Sequence, residues 1–184
     1  MKTALIIVDI QRDYFPGGKM EVVGAMGAGE AAGRLLGAFR EKGLPVVHVQ
    51  HLSTREGATF FLPGTEGVLF HPLAAPLPGE PVITKHYPNS FRETRLRGAL
   101  EETGADELVI CGMMSHMCID ATVRAAVDLD YRCIVASDAC ATRNLEFEGV
   151  VVPSGHVHAA FMAALGSVYA RIMKSAEIIA PLRP

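Results

Sequence analysis

The chain has only four cysteines and a small net charge, and each of these features argues against a class of protein. Its four cysteines in 184 residues include no CxxC pair, which argues against a disulfide scaffold and fits a reducing compartment. The formal net charge is -3 and the lysines and arginines are scattered, so we expect no nucleic acid and no membrane surface as a partner. No apolar run approaches the length of a membrane span.

The amino terminus lacks the features of a secretory signal. Met1 and Lys2 lead directly into the apolar run ALIIV, which is too short for a signal peptide and has no small-residue cleavage site after it. The segment that follows offers no GxGxxG spacing, which argues against NAD or FAD binding. We therefore expect a cytoplasmic protein without a cofactor.

Apolar content is what the chain does have, at 49%, which is enough for a sizeable core in one domain across residues 1–184. Strand and helix patterns alternate without a repeat or a linker, which predicts an α/β three-layer αβα sandwich. Six parallel strands are predicted at residues 4–8, 45–50, 81–84, 107–111, 131–136 and 167–173. Connection rules place them in the order 3-2-1-4-5-6.

Four helices are predicted between these strands. They span residues 29–42, 90–103, 118–130 and 154–165. The second of them is expected to begin at a capping box that Ser90 forms with Glu93. The long segment from residue 52 to residue 80 has no sustained period, which is typical of a functional loop or a subunit contact.

The stretch from residue 108 to residue 126, LVICGMMSHMCIDATVRAA, changes its periodicity partway along. LVIC is typical of a buried parallel strand, whereas Ile119, Val123 and Ala126 recur at helical spacing. Cys118 is therefore predicted in the first turn of a helix, where unpaired N–H groups and the helix dipole favour a thiolate. The alternative is that Cys118 is a small buried hydrophobe, as most free cysteines are.

Two charged residues also follow predicted strands. Asp9 comes after the first strand and Lys85 after the third, and the carboxyl ends of parallel strands meet at one edge of the sheet. Lys85 starts two strands away, about 10 Å at the usual strand spacing, which its long side chain could span. A carboxylate, an ammonium and the Cys118 thiol supply a base, a charge partner and a nucleophile for acyl transfer. Alternatively, Asp9 caps the next turn.

Three segments resemble the motifs of one known family. VDIQRDYF around Asp9, ITKHYPNSF around Lys85 and CGMMSHMCIDATVRAA around Cys118 look like the motifs of the isochorismatase-like cysteine hydrolases, which include nicotinamidases and N-carbamoylsarcosine amidase. The resemblance implies an Asp9, Lys85, Cys118 triad and hydrolysis of a small amide-type C–N bond through a thioester. It also implies an oxyanion hole made by the backbone N–H groups of Met114 and Cys118, with a cis peptide between Met113 and Met114.

The residues that hold a metal in some nicotinamidases are mostly missing from this chain. Those relatives carry Asp-x-His after the second strand and a further His before a Gly-Thr-containing loop. The corresponding positions here are His51, Ser53 and Phe60. One possible ligand out of three is too few for a zinc site. The resemblance therefore implies no catalytic metal and a substrate other than nicotinamide.

Several residues near the strand ends are expected to contact a small-molecule substrate because of their position. They are Phe15, Gln50, His51, Tyr87, Asn89 and His116. This mixture of aromatic and hydrogen-bonding side chains is suited to a small polar amide. Cleavage of a vinyl ether, as in true isochorismatases, is the alternative within the family.

Two rival functions do not require hydrolysis. The Cys118 thiol could serve as a redox sensor or in ligand binding, although Cys111, seven residues earlier, is expected inside a strand and makes a poor resolving partner. The apolar, glycine-rich segment from residue 149 to residue 170 is typical of a core but could also form a subunit contact. We expect a homo-oligomer, either a dimer or a tetramer.

Overall fold

A parallel sheet forms the centre of the protein, which we describe from a computed structural model covering residues 2–182. Eight strands occur along this part of the chain. They are β1 (Thr3–Val8), β2 (Val46–His51), β3 (Val82–Lys85), β4 (Glu107–Met113), β5 (Arg132–Ala141), β6 (Leu145–Phe147), β7 (Val150–Val152) and β8 (Ala170–Met173). Six of them form the sheet in the order β3-β2-β1-β4-β5-β8, while β6 and β7 form a separate antiparallel hairpin.

Helices cover both faces of the sheet. They are α1 (Ala25–Glu41), α2 (Leu96–Thr103), α3 (Asp120–Asp128), α4 (Ser154–Val168) and α5 (Ser175–Ile179). Residues of α1 and α5 share one apolar cluster with one face of the sheet, and residues of α2, α3 and α4 share a second cluster with the other face. The predicted three-layer α/β architecture is confirmed. Within residues 2–182, no helix is long and apolar enough to cross a membrane.

The central strands are apolar along their whole length because both of their faces are covered. In β1, Leu5 and Ile7 belong to the cluster under α1, whereas Ile6 and Val8 belong to the cluster under α2 and α3. All four are fully buried. Each such side chain contributes roughly 1.5–3 kcal/mol by leaving water, so this strand stabilises both layers at once.

The predicted strand order is confirmed, although the sixth strand of the sheet is the eighth along the chain. The hairpin of β6 and β7 was not predicted, because its strands are three residues each and carry no strong alternation. Helix α5 was also missed. Helix α1 begins at Ala25, four residues before the predicted start, and α4 continues to Val168, so β8 starts only at Ala170.

The predicted capping box is wrong. Helix α2 begins at Leu96, well after Ser90 and Glu93. Ser90 is buried, and its hydroxyl forms a hydrogen bond of 2.8 Å with Oγ1 of Thr122 on α3. Glu93 has a φ of 55°, which interrupts a helix. The hydroxyl of Ser90 thus ties this segment to α3 instead of capping α2.

Candidate active site

Asp9, Lys85 and Cys118 come together at the carboxyl edge of the sheet. Asp9 follows β1, Lys85 ends β3, and Cys118 lies in the turn that follows β4. The Nζ atom of Lys85 lies 2.8 Å from Oδ2 of Asp9 and donates a hydrogen bond of 3.2 Å to Sγ of Cys118. Asp9 and Lys85 are fully buried, and Cys118 is 4% exposed. The lysine side chain therefore reaches past the end of β2, which lies between β3 and β1, and contacts both partners.

A glycine brings the strand of Asp9 close to the turn of Cys118. Gly112 has a φ of 126°, and a Cβ atom at this position would overlap with the carbonyl oxygen of Val8. Only glycine fits so close an approach of two backbones. Asp9 itself has a φ of 52°, and its N–H donates to the carbonyl of Val49 on β2 at 3.0 Å. Backbone contacts to both neighbouring strands thus orient the carboxylate.

The local structure around Cys118 differs from the predicted first turn of an α-helix. Residues Ser115–Ile119 form a π-helical turn, and α3 starts only at Asp120. The preceding peptide bond, between Met113 and Met114, is cis. Ser115 anchors the turn, because its hydroxyl is 2.8 Å from Nδ1 of His158 on α4. Isolated π-helical turns are frequent at functional sites.

The expected low pKa of the Cys118 thiol is wrong. Burial raises the pKa of this thiol, the neighbouring charge of Asp9 raises it further, and the ammonium of Lys85 offsets only part of the effect. Burial alone would lower the pKa of Lys85, but the charges of Asp9 and Cys118 outweigh it and raise that pKa. Both shifts favour an ammonium ion on Lys85 and a protonated thiol on Cys118 in the resting site.

One oxygen of Asp9 faces neither Lys85 nor a hydrogen-bond donor of the described residues. Oδ2 faces the Lys85 ammonium, whereas Oδ1 is buried and has no hydrogen-bond partner among residues 2–182. A buried carboxylate oxygen without a partner is costly, so such an atom usually has a functional reason. The ligand atoms of Asp9, His51 and Cys118 lie within 4.8 Å of one another. The carboxylate is therefore near enough to serve the thiol.

The same three ligand atoms form a cluster that could suit a metal ion, but Lys85 already lies against all of them. Its ammonium contacts Asp9 and Cys118 as described, and it lies 2.9 Å from Nδ1 of His51. The carbonyl oxygen of Tyr87 accepts a further hydrogen bond at 3.1 Å. A cation bound by this cluster would have to displace the ammonium, so the donor set does not fit a metal in this arrangement.

His51 is neutral in the site and accepts the hydrogen bond from Lys85. Burial and the adjacent ammonium of Lys85 lower the pKa of His51 to about 4. An unfolded chain would protonate this residue near its ordinary pKa of about 6.5. Between these two values the unfolded state binds more protons than the folded state, so folding stability rises with pH across this range.

Replacing His51 with asparagine should therefore flatten the pH dependence of stability between about pH 6.5 and about pH 4. Asparagine keeps a hydrogen-bond acceptor for Lys85 but does not titrate. Urea unfolding measured at several pH values tests this expectation. His156→Asn, at an exposed position at the start of α4, is the matched control. An unchanged slope in His51→Asn would show that His51 does not account for the acid destabilisation.

Two other predicted pocket residues, Tyr87 and His116, lie near the three central side chains and contact other residues of the protein. The carbonyl of Tyr87 binds Lys85, while the Tyr87 ring lies 3.7 Å under the guanidinium of Arg92. His116 is hydrogen-bonded to Oγ1 of Thr142 at the end of β5. Burial and the charge of Arg143 lower the pKa of His116, so its ring is neutral at pH 7.

The remaining predicted pocket residues, Phe15, Gln50 and Asn89, make their contacts with nearby loops. Gln50 donates to the carbonyl of Val68 at 3.0 Å, and Asn89 accepts from the N–H of Phe91 at 2.9 Å. Phe15 is buried and stacks on His71 with 3.7 Å between ring centroids. It lines a cavity of about 600 Å³ whose lining includes neither Asp9, Lys85 nor Cys118.

Sequence reasoning missed Tyr14, which lies in the first motif five residues after Asp9. Tyr14 is 2% exposed, and its ring packs against Phe61 with 4.6 Å between centroids. Phe61 in turn lies 5.9 Å from the ring of His51. The long loop after β2 thus contributes an aromatic wall beside the site. No pattern of apolar and polar residues marks Tyr14 as buried, because it lies in a short 3₁₀ turn.

Asp13 holds that loop in place. Its buried carboxylate accepts hydrogen bonds from the N–H groups of Phe61, at 2.6 Å, and Lys19, at 3.1 Å. Gly67 packs directly on this carboxylate, and a Cβ atom on Gly67 would overlap with it. Two loops are therefore joined through one carboxylate.

Gly67→Ala should destabilise the protein by about 1–3 kcal/mol, because the added methyl group must push the Asp13 carboxylate away from its two donors. Gly37→Ala on α1 is the control, since a Cβ atom at Gly37 would face open space and alanine favours a helix. Urea denaturation should separate the two variants. Equal stability would contradict the tight packing at Asp13.

A six-stranded parallel sheet with a buried Asp, Lys and Cys at its carboxyl edge is the architecture of the isochorismatase-like cysteine hydrolases. The isochorismatase domain family matches residues 3–172, and the chain belongs to this family. The resemblance seen in the three motifs is confirmed, and the protein is an isochorismatase-family hydrolase acting on small molecules.

Similar proteins support this assignment. The isochorismatase family protein YddQ of Bacillus subtilis is 56% identical over 172 residues, which cover 94% of this chain and 96% of YddQ. A crystal structure from Oleispira antarctica, described as an isochorismatase hydrolase, has a TM-score of 0.94 and 51% identity, covering 97% of this chain and 96% of that chain. N-carbamoylsarcosine amidase from Thermoplasma acidophilum has a TM-score of 0.81 and 26% identity, covering 95% and 97%.

Proposed function

We propose that the protein hydrolyses the C–N bond of a small amide, with Cys118 as nucleophile, Asp9 as acid and base, and Lys85 as their charge partner. The observation that carries this proposal is the contact of one buried ammonium with both the carboxylate and the thiol. The similarity to an amidase supports an amide-type substrate.

The first step forms the tetrahedral intermediate from which the thioester later arises. Oδ1 of Asp9, which lacks a partner among the described residues, accepts the Cys118 proton while Sγ attacks the carbonyl carbon of the amide. Negative charge thereby moves from the carboxylate to sulfur and on to the substrate oxygen. Lys85 contacts both protein groups, so its ammonium stabilises the charge before and after the transfer. The backbone N–H groups of Met114 and Cys118 are the proposed donors to the oxyanion.

The second half of the reaction uses Asp9 twice more. As the C–N bond breaks, the protonated carboxyl gives its proton to the leaving nitrogen, which departs as ammonia or an amine and leaves a thioester on Cys118. Asp9 then removes a proton from water as the water oxygen attacks the thioester carbon. Collapse of this second intermediate releases the acid and returns the proton to sulfur. This scheme includes no metal ion and no cofactor.

Screening a panel of small primary amides for ammonia release tests the function. We expect turnover of at least one amide and a covalent adduct on Cys118 that acid quenching traps and mass spectrometry detects. Reversible oxidation by peroxide without ammonia release would instead support a redox sensor. Consumption of isochorismate with no amide turnover would support the vinyl ether alternative.

The expected assembly and location belong to the same proposal. The β6–β7 hairpin exposes Phe147, Val150 and Val151. Exposed apolar side chains clustered in this way favour a contact between copies, so we propose a homo-oligomer, either a dimer or a tetramer, whose mass light scattering would measure. The four free cysteines fit the proposed cytoplasmic location.

A further inference from the structure

We propose that His158 of α4 is a positioning residue for catalysis, which acts through Ser115 to hold the Cys118 turn in the geometry that the reaction needs. This inference rests on the proposed function and adds a residue to it. Its basis is a hydrogen bond of 2.8 Å between the first residue of the turn and a helix that follows 43 residues later in the chain. The contact therefore depends on how α4 packs against the turn.

The turn that carries Cys118 is wound around one carbonyl group. The carbonyl oxygen of Met114 accepts hydrogen bonds from the N–H of Met117 at 3.0 Å and from that of Ile119 at 3.2 Å. The second of these bonds has the spacing of a π-helix, which is rare and here lasts for a single turn. Contacts from neighbouring elements must therefore fix the relative positions of the Met114 and Cys118 backbones, which carry the proposed oxyanion donors.

Ser115 is the residue at which two such contacts meet. Its side chain is fully buried. Its hydroxyl oxygen lies 3.3 Å from the carbonyl oxygen of Ala141 at the end of β5 and 2.8 Å from Nδ1 of His158. A carbonyl oxygen can only accept, so the single hydroxyl proton is donated to Ala141, and the hydroxyl oxygen accepts from Nδ1 of His158. The sheet and α4 thus hold the same residue of the turn.

The imidazole of His158 is suited to this role because it keeps one charge state near neutral pH. Burial and the charge of Lys174 lower the pKa of His158, so its ring is neutral at pH 7. The neutral ring then carries its proton on Nδ1, which is the tautomer that can donate to Ser115.

Helix α4 is a firm support for this imidazole. Its side chains Val157, Met162 and Leu165 are buried. The N–H of Ser154, the first residue of the helix, donates to Oδ1 of Asn144 at 2.8 Å. The core and this contact therefore fix the helix from which the imidazole reaches the turn.

Three substitutions of His158 separate a positioning role from a general loss of packing. Asparagine can place an amide N–H where Nδ1 lies, glutamine places it further along the side chain, and leucine has no donor. We expect His158→Leu and His158→Gln to lower kcat about 10- to 100-fold and to change KM less than about threefold, because a displaced turn misaligns the reacting groups. His158→Asn should keep kcat within about threefold of the wild type. A mere effect on helix stability predicts the reverse order, since glutamine favours a helix more than asparagine does.

Two further variants complete the kinetic test. Ser115→Ala removes the acceptor, so it should lower kcat as His158→Leu does, and the double variant should be no less active than either single variant. His156→Asn, at an exposed position on the same helix, should leave kcat and KM unchanged. Additive losses in the double variant, or a loss confined to KM, would overturn the proposal.

Hydrogen exchange measured by mass spectrometry separates this inference from the proposed reaction. The amides of residues 113–119 should exchange at least about tenfold faster in His158→Leu than in the wild type, while those of β1 should not change. Equal exchange in the two proteins would overturn the inference whether or not the wild type hydrolyses an amide. Faster exchange combined with a wild type that hydrolyses no amide would retain the hold of His158 on the turn and contradict the proposed function.

Discussion

Replacing Cys118 with alanine should abolish amide hydrolysis and thioester formation while leaving the protein folded. The sulfur is the proposed nucleophile and the atom on which the proposed acyl intermediate forms, so we expect kcat to fall by at least about 10⁴-fold. Removing one sulfur atom from a buried position should cost only a small part of the folding stability. Ammonia release and intact-protein mass spectrometry measure the two losses, and circular dichroism checks the fold.

Cys133→Ala is the matched control for that experiment. Cys133 is also a free, buried cysteine, but it lies at the amino end of β5, away from the carboxyl edge. This variant should keep its activity. Ammonia release that persists in Cys118→Ala would refute the nucleophile. An equal loss in both variants would show that packing, and not the identity of the thiol, was responsible.

Replacing either partner of the Lys85–Asp9 ion pair should reduce both activity and folding stability. Lys85→Met leaves a buried carboxylate without its counter-charge, and Asp9→Asn leaves a buried ammonium, so each should cost about 3–5 kcal/mol of folding stability. Loss of the acid and base in Asp9→Asn should also lower kcat by roughly 10²- to 10⁴-fold. Asparagine tolerates the positive φ of Asp9, so the backbone need not change.

The double variant Asp9→Asn/Lys85→Met distinguishes stability from catalysis. It contains neither charge, so its stability should recover most of the loss while its activity remains absent. Arg97→Met breaks an exposed pair with Glu101 and should change stability by no more than about 0.5 kcal/mol. Lys85→Met could lose as little folding stability as Arg97→Met, or the double variant could be the least stable of all. Either result would show that the two buried charges do not stabilise each other as a pair. Urea denaturation of the four variants provides the comparison.

Much of the fold could be predicted from the sequence because the parallel strands are buried on both faces and separated by helical periods. Asp9 and Lys85 each follow such a strand, and the carboxyl ends of parallel strands share one edge. Their approach to Cys118 therefore follows from the topology. The hairpin of β6 and β7 does not, because its strands are short and face solvent, so no burial pattern marks them.

Local details that depend on tertiary contacts were harder to predict. Ser90 has the spacing of a helix cap, yet it binds Thr122 of another helix, and only the packed structure brings the two together. Asn89 and Gln50, which are predicted to contact a substrate, each form a hydrogen bond with a backbone group of a nearby loop. Tyr14 belongs to a motif that was recognised, but its place beside the site depends on packing against Phe61, which is distant in sequence.

The raised pKa of the Cys118 thiol has a consequence for how this sulfur reacts with oxidants and electrophiles. Peroxides and alkylating agents react with thiolates and scarcely with thiols. In the proposed mechanism Cys118 loses its proton to Asp9 only as a substrate is attacked, so the resting protein holds a buried and protonated sulfur. We therefore expect peroxides and alkylating agents to modify Cys118 only slowly when no substrate is bound.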